Sequence, residues 1–149
     1  MAKALRWNFV DLDELIELKQ QRSIVDIFAL QGEPYFRKIE KKILKQVCAE
    51  HKFVVACGGG VVLDADNIKI MKKTGILICL CASAGVILKR VCASTQRPIL
   101  NVANPRERIE LLLKMRAPYY LQADKTIDTS KLSVKQVVAK IAKMRVIKK

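Results

Sequence analysis

Metal-binding and disulfide patterns are almost absent from this 149-residue sequence. It has a single histidine, His51, and five cysteines that form no C-x-x-C pair. Zinc sites and disulfide frameworks need such clusters, so the sequence favours neither. The cysteines lie mostly in apolar runs, so we expect them to be reduced and to lie in the core of a cytoplasmic protein. They are Cys48, Cys57, Cys79, Cys81 and Cys92.

Long apolar runs are missing as well. The uncharged stretch Gly75 to Leu88 is short and crosses two predicted elements, whereas a bilayer-spanning helix needs about 20 apolar residues. No apolar signal-peptide core follows Met1. We therefore expect no membrane association.

Acidic residues are scarce, since 14 Asp and Glu stand against 28 Lys and Arg, for a formal net charge of +14. This balance favours an anionic partner, either a phosphorylated or carboxylated small molecule or a nucleic acid, although it could equally be the surface habit of a basic protein. The basic residues are dispersed, and the few aromatic residues lie in core patterns rather than on a stacking surface. We expect no nucleic-acid partner and a chain that acts as a monomer.

The most informative stretch is Phe53 to Val62, an apolar run interrupted by Gly58, Gly59 and Gly60. It predicts a buried strand that ends in a turn without side chains. One glycine is enough for most turns, so three in succession indicate close approach of the backbone to another group. Ligands of open α/β sheets bind at the carboxyl ends of strands, which predicts a ligand here. The alternative is a flexible loop tip.

The chain alternates predicted strands with predicted helices. Strands are expected at residues 8–11, up to Ala56, at 76–81 and at 125–128. Helices are expected at 13–19, 23–30, 33–51, 64–73, 84–92 and 106–115, and from Ser133 onward. Strands joined through helices predict right-handed crossovers in a mostly parallel sheet, within a single α/β domain of residues 1–149. Residues 93–105 have no period and contain two prolines, so we interpret them as an exposed, mobile lid.

Several ordered pieces of the sequence together resemble the shikimate kinases over essentially the whole chain. They are Asp11-Leu12-Asp13, Ser23-Ile24 through Phe28, Gly32-Glu33, Phe36-Arg37 with Glu40, Gly58-Gly59-Gly60, Arg97-Pro98, Arg116-Ala117-Pro118 with Tyr120, and Asp128-Thr129. The resemblance implies a three-layer P-loop kinase fold, with a parallel sheet between two layers of helices. It also implies transfer of the γ-phosphate of ATP to the 3-hydroxyl of shikimate, with Mg²⁺, in aromatic amino acid biosynthesis.

The resemblance implies a substrate-binding region at about residues 12–40. There Asp13 would bind the shikimate hydroxyls and serve in catalysis, a role that a carboxylate can fill by accepting the hydroxyl proton. The alternative is that Asp13 simply caps the following helix. Arg37 and Arg116 would bind the shikimate carboxylate, for which guanidinium groups are suited. Gly58, Gly59 and Gly60 would lie against the substrate ring.

Three further residues are implied on the nucleotide side. Arg97, in the lid, would reach the phosphates and act in catalysis, since an arginine there stabilises transition-state charge. Arg90 would touch the adenine side. Asp11 would belong to the magnesium shell, either directly or through water. Phe28 and Phe36 could wall the substrate pocket, with core packing as their main duty.

The main departure from the family is the phosphate-binding loop. A P-loop kinase requires G-x-x-x-x-G-K-[ST], and no glycine of this sequence is followed by lysine. The segment Ala2 to Trp7 resembles the last turns of the helix that follows this loop. We therefore expect an N-terminally truncated fold without the first strand and the phosphate loop, and with two neighbouring strands left unpaired.

These observations leave two main hypotheses. The first is a shikimate kinase that is impaired as written because its Walker A loop is missing. The alternative is a noncatalytic module, derived from the kinase, that binds shikimate or a partner.

Overall fold

The computed structural model describes residues 1–92 and 104–144. The chain divides into two compact units, one formed by Met1–Ile76 with the end of the chain from Lys140, the other by Leu77–Ala139. The predicted lid at 93–105 lies almost wholly outside the described residues. Among the helices described, none combines the length and apolar character needed to cross a bilayer.

The elements follow one another in the alternating order that the sequence predicts. The helices are α1 (Ala2–Leu5), α2 (Leu12–Gln20), α3 (Ile24–Cys48), α4 (Ala65–Thr74), α5 (Ala84–Cys92), α6 (Pro105–Tyr120) and α7 (Val134–Lys143). The strands are β1 (Asn8–Asp11), β2 (Phe53–Ala56), β3 (Ile78–Cys81) and β4 (Lys125–Asp128).

The described strands form two parallel pairs. In the first unit, β1 pairs with β2 from Asn8 opposite Phe53 to Asp11 opposite Ala56. In the second unit, β3 pairs with β4 from Ile78 opposite Lys125 to Cys81 opposite Asp128. Parallel pairing is as predicted, but each described sheet has only two strands. Each of the four described strands therefore keeps one edge without a described partner strand.

Short polar side chains fix where the helices begin. Ser23 accepts a hydrogen bond from the backbone N–H of Asp26 at 3.1 Å and thereby caps α3. Asp64 does the same for α4 through the N–H of Asp66 at 2.8 Å. Inside α3, Gly32 has φ 78° and ψ 171°, a conformation that glycine alone adopts easily. This break explains why the sequence predicts two helices there.

The core of the first unit lies between α2, α3 and the segment that follows β2. Its most deeply buried apolar side chains are Leu12, Ile16, Ile27, Leu44 and Val61. The prediction that the cysteines are core residues was wrong, because Cys57 and Cys92 are exposed and the other three are half-buried. Cys48 and Cys92 are the last residues of α3 and α5, and Cys57 directly follows β2, so three of the five stand where an element ends rather than inside it.

The sequence predicts the end of α6 too early. The predicted end lies near Met115, whereas the helix passes through Pro118 to Tyr120. The helix continues only three residues from Pro118 to its end. Its last turn is still closed, because the N–H of Leu121 donates to the carbonyl of Ala117 at 3.0 Å.

Candidate functional site

Parallel pairing brings the carboxyl ends of β1 and β2 side by side, with Asp11 opposite Ala56. Asp13 follows β1, and the glycine turn follows β2. A Cβ atom built on Gly58 would lie 3.5 Å from each carboxylate oxygen of Asp13. The Asp13 carboxylate therefore rests against the first glycine of the turn, in the place where ligands of α/β sheets bind.

Asp11, rather than Asp13, caps α2. Its Oδ1 accepts hydrogen bonds from the N–H groups of Asp13 at 3.0 Å and Glu14 at 3.4 Å. The alternative in which Asp13 is the cap is therefore wrong. Asp13 is also not part of the strand, since α2 begins at Leu12. Because the cap is provided by Asp11, the Asp13 carboxylate is not needed for that purpose.

Arg37 lies on α3 between two glutamates of the same helix. Its Nη1 donates to Oε2 of Glu40 at 2.8 Å, while Nε and Nη2 donate to Oε1 of Glu33 at 3.1 and 3.0 Å. The guanidinium carbon is also 5.1 Å from the centre of the Phe36 ring. Burial alone would lower the pKa of Arg37, but the bonds and charges of Glu40 and Glu33 outweigh it and raise that pKa.

Gly60 makes room for this guanidinium. A Cβ atom at Gly60 would lie 2.6 Å from Nη2, 2.7 Å from Nη1 and 2.9 Å from Cζ of Arg37. Gly60 has φ −90° and ψ −18°, which any residue can adopt. Space for Arg37, and not backbone conformation, is therefore the reason for glycine at this position.

Glu40 is the buried member of the cluster, with an exposed fraction of 2%. Burial raises the pKa of its carboxyl group, the ion pair with Arg37 works against that rise, and the charge of Asp13 adds to it. Glu40 therefore stands within electrostatic range of both candidate substrate-binding side chains. Its ion pair holds the Arg37 guanidinium in position, because separating a buried carboxylate from its cation costs free energy.

The sequence interpretation assigned no role to Glu33 or Glu40. Both were part of the resemblance, but neither was recognised as a partner of Arg37. The signal is present in the spacing, because residues three and four positions apart share one helix face. Position i−4 holds Glu33 and position i+3 holds Glu40.

A surface cavity of about 430 Å³ opens beside Arg37. It is lined by Glu33, Pro34, Arg37, Leu63 and Asp64. Lys41 reaches Asp64 at 2.9 Å and Asp66 at 2.8 Å, and these ion pairs connect α3 to the start of α4. The Phe28 and Phe36 rings pack with centroids 4.8 Å apart. Phe36 is buried, which fits the predicted packing role, whereas Phe28 is 37% exposed and is not a core residue.

The remaining candidate residues belong to the second unit or to the part that is not described. Arg90 on α5 donates to the hydroxyl and the carbonyl of Thr129, at 2.9 and 2.8 Å. Thr129 in turn donates its hydroxyl to the carbonyl of Cys81 at 2.9 Å. Arg116 is half-buried on α6. Arg97 lies outside the described residues, as does most of the lid.

Within residues 1–92 and 104–144, no group of three His, Cys, Asp or Glu side chains is arranged to hold a metal ion. A protein cage for a transition metal or calcium is therefore not offered by this part of the chain. Magnesium is a different case, because it commonly takes one or two carboxylates together with substrate phosphates and water. Asp11, a single carboxylate at the end of β1, fits that pattern.

Comparison with known proteins identifies the family. The family model described as shikimate kinase matches residues 1–145. The shikimate kinase of Thermodesulfovibrio yellowstonii is 46% identical over 143 residues, which cover 96% of this chain and 83% of that protein. The shikimate kinase of Thermoanaerobacter pseudethanolicus is 39% identical, with 96% and 84% covered.

Solved structures agree with this match. Shikimate kinase from Acinetobacter baumannii, in complex with shikimate, has a TM-score of 0.89 and 34% identity, and the match covers 95% of this chain and 79% of that one. Shikimate kinase from Aquifex aeolicus has a TM-score of 0.81 and 29% identity, with 95% and 82% covered. The predicted α/β fold of the P-loop kinase type is confirmed, and the chain belongs to the shikimate kinase family.

Proposed function

We propose that Asp13, Arg37 and the turn Gly58–Gly60 bind shikimate as the phosphoryl acceptor. The observation that carries the proposal is that the Arg37 guanidinium lies against Gly60 while the Asp13 carboxylate lies against Gly58. A cation and a carboxylate thus stand beside one side-chain-free turn, which suits a small ligand that carries both a carboxylate and hydroxyl groups. The family makes the chain a kinase that uses ATP, and the similar Acinetobacter baumannii protein was solved in complex with shikimate.

In this proposal Arg37 orients the ligand and Asp13 acts on its hydroxyl. The carboxylate of Asp13 accepts the proton of the 3-hydroxyl as that oxygen forms its bond to the transferred phosphorus, while the bond from phosphorus to the leaving phosphate breaks. Arg37, Glu33 and Glu40 take no part in this proton transfer. The task of the chain on the acceptor side is therefore to position the ligand and to receive one proton.

We assign nucleotide-side roles to Arg90, Arg97 and Asp11. Arg90 presents a guanidinium whose plane is fixed by the two bonds to Thr129, which suits contact with a flat base. Asp11 would join the shell of Mg²⁺, an ion that would neutralise phosphate charge. The 149 residues contain no G-x-x-x-x-G-K-[ST] loop, so they do not provide the usual phosphate cradle.

Calorimetric titration of the 149-residue chain with shikimate tests the acceptor site. Arg37→Ala should weaken binding by about 2–5 kcal/mol, the cost of losing one partner of a buried charge pair. Arg106→Ala is the matched control, because Arg106 forms an exposed i,i+4 pair with Glu110 and has no proposed role. Equal affinities for wild type and Arg37→Ala would refute the proposal.

Arg116 requires a version of the protein that also carries a P-loop. There, Arg116→Ala should weaken shikimate binding much more than ATP binding, because we place Arg116 on the substrate carboxylate. Similar losses for both ligands would contradict this role. Cytoplasmic location and a monomeric state stay predictions, which cell fractionation and size-exclusion chromatography would test.

A further inference from the structure

The guanidinium of Arg37 already holds a carboxylate on one of its two-donor edges. Nε and Nη2 together form the side edge of the group, and both donate to the same oxygen of Glu33, at 3.1 and 3.0 Å. Nη1 is engaged by Glu40 at 2.8 Å. An incoming carboxylate that seeks two parallel hydrogen bonds therefore meets an arginine whose side edge is filled.

The two glutamates differ sharply in their freedom to move. The side chain of Glu33 is 59% exposed and that of Glu40 is 2% exposed. Glu33 can turn into water at little cost, since exposed ion pairs contribute only about 0.2–1 kcal/mol. Glu40 has no such option because its charge would remain buried without a partner. Glu33 also lines the cavity beside Arg37.

We propose that Glu33 is a resident counter-ion that the carboxylate of the substrate displaces from Arg37. The inference rests on the proposed function, because it takes Arg37 as the carboxylate-binding residue. While the site is empty, Glu33 keeps the guanidinium on Gly60 and satisfies its donors. When the ligand arrives, Glu33 moves into solvent and Glu40 retains the arginine. A neutral ligand lacks the charge to displace Glu33, so the exchange favours ligands that carry a carboxylate.

The proposal predicts that Glu33 opposes substrate binding. Glu33→Gln keeps the shape of the side chain and removes its charge, so the ligand no longer competes with an anion. The dissociation constant for shikimate should fall roughly 1.4- to fivefold, the factor that corresponds to one exposed ion pair. The shikimate methyl ester, which has no carboxylate charge, should show no such gain.

Glu110→Gln is a closely matched control. Glu110 accepts from Nε of Arg106 at 3.0 Å in an exposed i,i+4 pair on another helix. Each variant loses one i,i+4 ion pair and one negative charge. Both substitutions should lower the free energy of unfolding only slightly, whereas only Glu33→Gln should tighten shikimate binding in calorimetric titrations of the 149-residue chain.

The outcomes separate this inference from the proposed function. No binding by wild type, or equal binding by wild type and Arg37→Ala, refutes the proposed function. If Arg37→Ala loses binding and Glu33→Gln gains it while Glu110→Gln does not, the counter-ion role is supported. If Arg37→Ala loses binding but Glu33→Gln binds shikimate equally or more weakly, Glu33 is an ordinary support of Arg37 and only the counter-ion role is refuted.

Discussion

Replacing Gly60 by alanine would place a methyl group in the space that the Arg37 guanidinium fills. Ordinary contact begins at 3.4 Å and the new Cβ would lie 2.6 Å from Nη2, so the group must retreat by 0.8 Å, the difference between these distances. A retreat directly away from Glu40 would lengthen the 2.8 Å bond to 3.6 Å, beyond hydrogen-bond range. The substitution therefore displaces Arg37, the proposed carboxylate-binding residue, without removing any charge.

Two opposing terms set the change in stability. A strain-free glycine-to-alanine change stabilises a fold by about 0.4–1 kcal/mol through the unfolded chain. Loss of a hydrogen bond between charged groups costs about 1.5–3 kcal/mol. The difference between the two ranges predicts a net loss of about 0.5–2.6 kcal/mol in the free energy of unfolding. Shikimate affinity should fall at least about tenfold, with the ~2–5 kcal/mol expected for complete loss of Arg37 as the ceiling.

A double-mutant cycle measured by calorimetric titration and urea unfolding would test this reasoning. If Gly60→Ala acts through Arg37, it should have little further effect on shikimate affinity in an Arg37→Ala background. Gly85→Ala is the control for a glycine-to-alanine change, because a Cβ at Gly85 would meet no other atom within 4 Å and Gly85 has no proposed role. Fully additive effects of Gly60→Ala and Arg37→Ala, or an unchanged affinity in Gly60→Ala, would refute the explanation.

Further predictions concern the backbone, the second unit, pH and activity. Gly32→Ala should cost about 1–3 kcal/mol because of its φ of 78°, whereas Gly85→Ala, where a Cβ meets open space, should not destabilise in the same urea titration. Thr129→Val should cost about 1–3 kcal/mol by leaving the Cys81 carbonyl and Arg90 without the hydroxyl; a melting temperature equal to that of wild type would contradict this. Burial raises the pKa of Glu40 above its unfolded value, so its contribution to stability is full below the unfolded pKa and is lost as pH rises through the folded one. Wild type should therefore gain stability relative to Glu40→Gln as pH falls from 7 towards 4.5, in urea titrations at each pH. The purified 149-residue chain should transfer phosphate from ATP to shikimate far below ordinary kinase rates, and an ordinary rate in a coupled assay would overturn that expectation.

Local patterns in the sequence determine most of the element boundaries. The bounds of β1, α5 and β4 agree with prediction to the residue, because apolar alternation and helical period report on neighbours a few positions away. The cap at Ser23 and the glycine break at Gly32 are local signals as well. Membership of the family also follows from the ordered motifs, because their spacing survives along the whole chain.

The arrangement of the site was decided by tertiary structure. Nothing local to Gly60 indicates that its missing side chain makes room for Arg37, because the two residues lie on different elements that only folding brings together. The same holds for the contact of Asp13 with Gly58 and for the exposure of the cysteines. The periodicity of apolar residues indicates which face of a helix or strand a residue occupies. Contacts between distant segments depend instead on how those faces pack. The sequence alone therefore predicted Asp13, Arg37 and the three glycines as candidate site residues, and the packing of α3 against the turn after β2 decided which contacts they make.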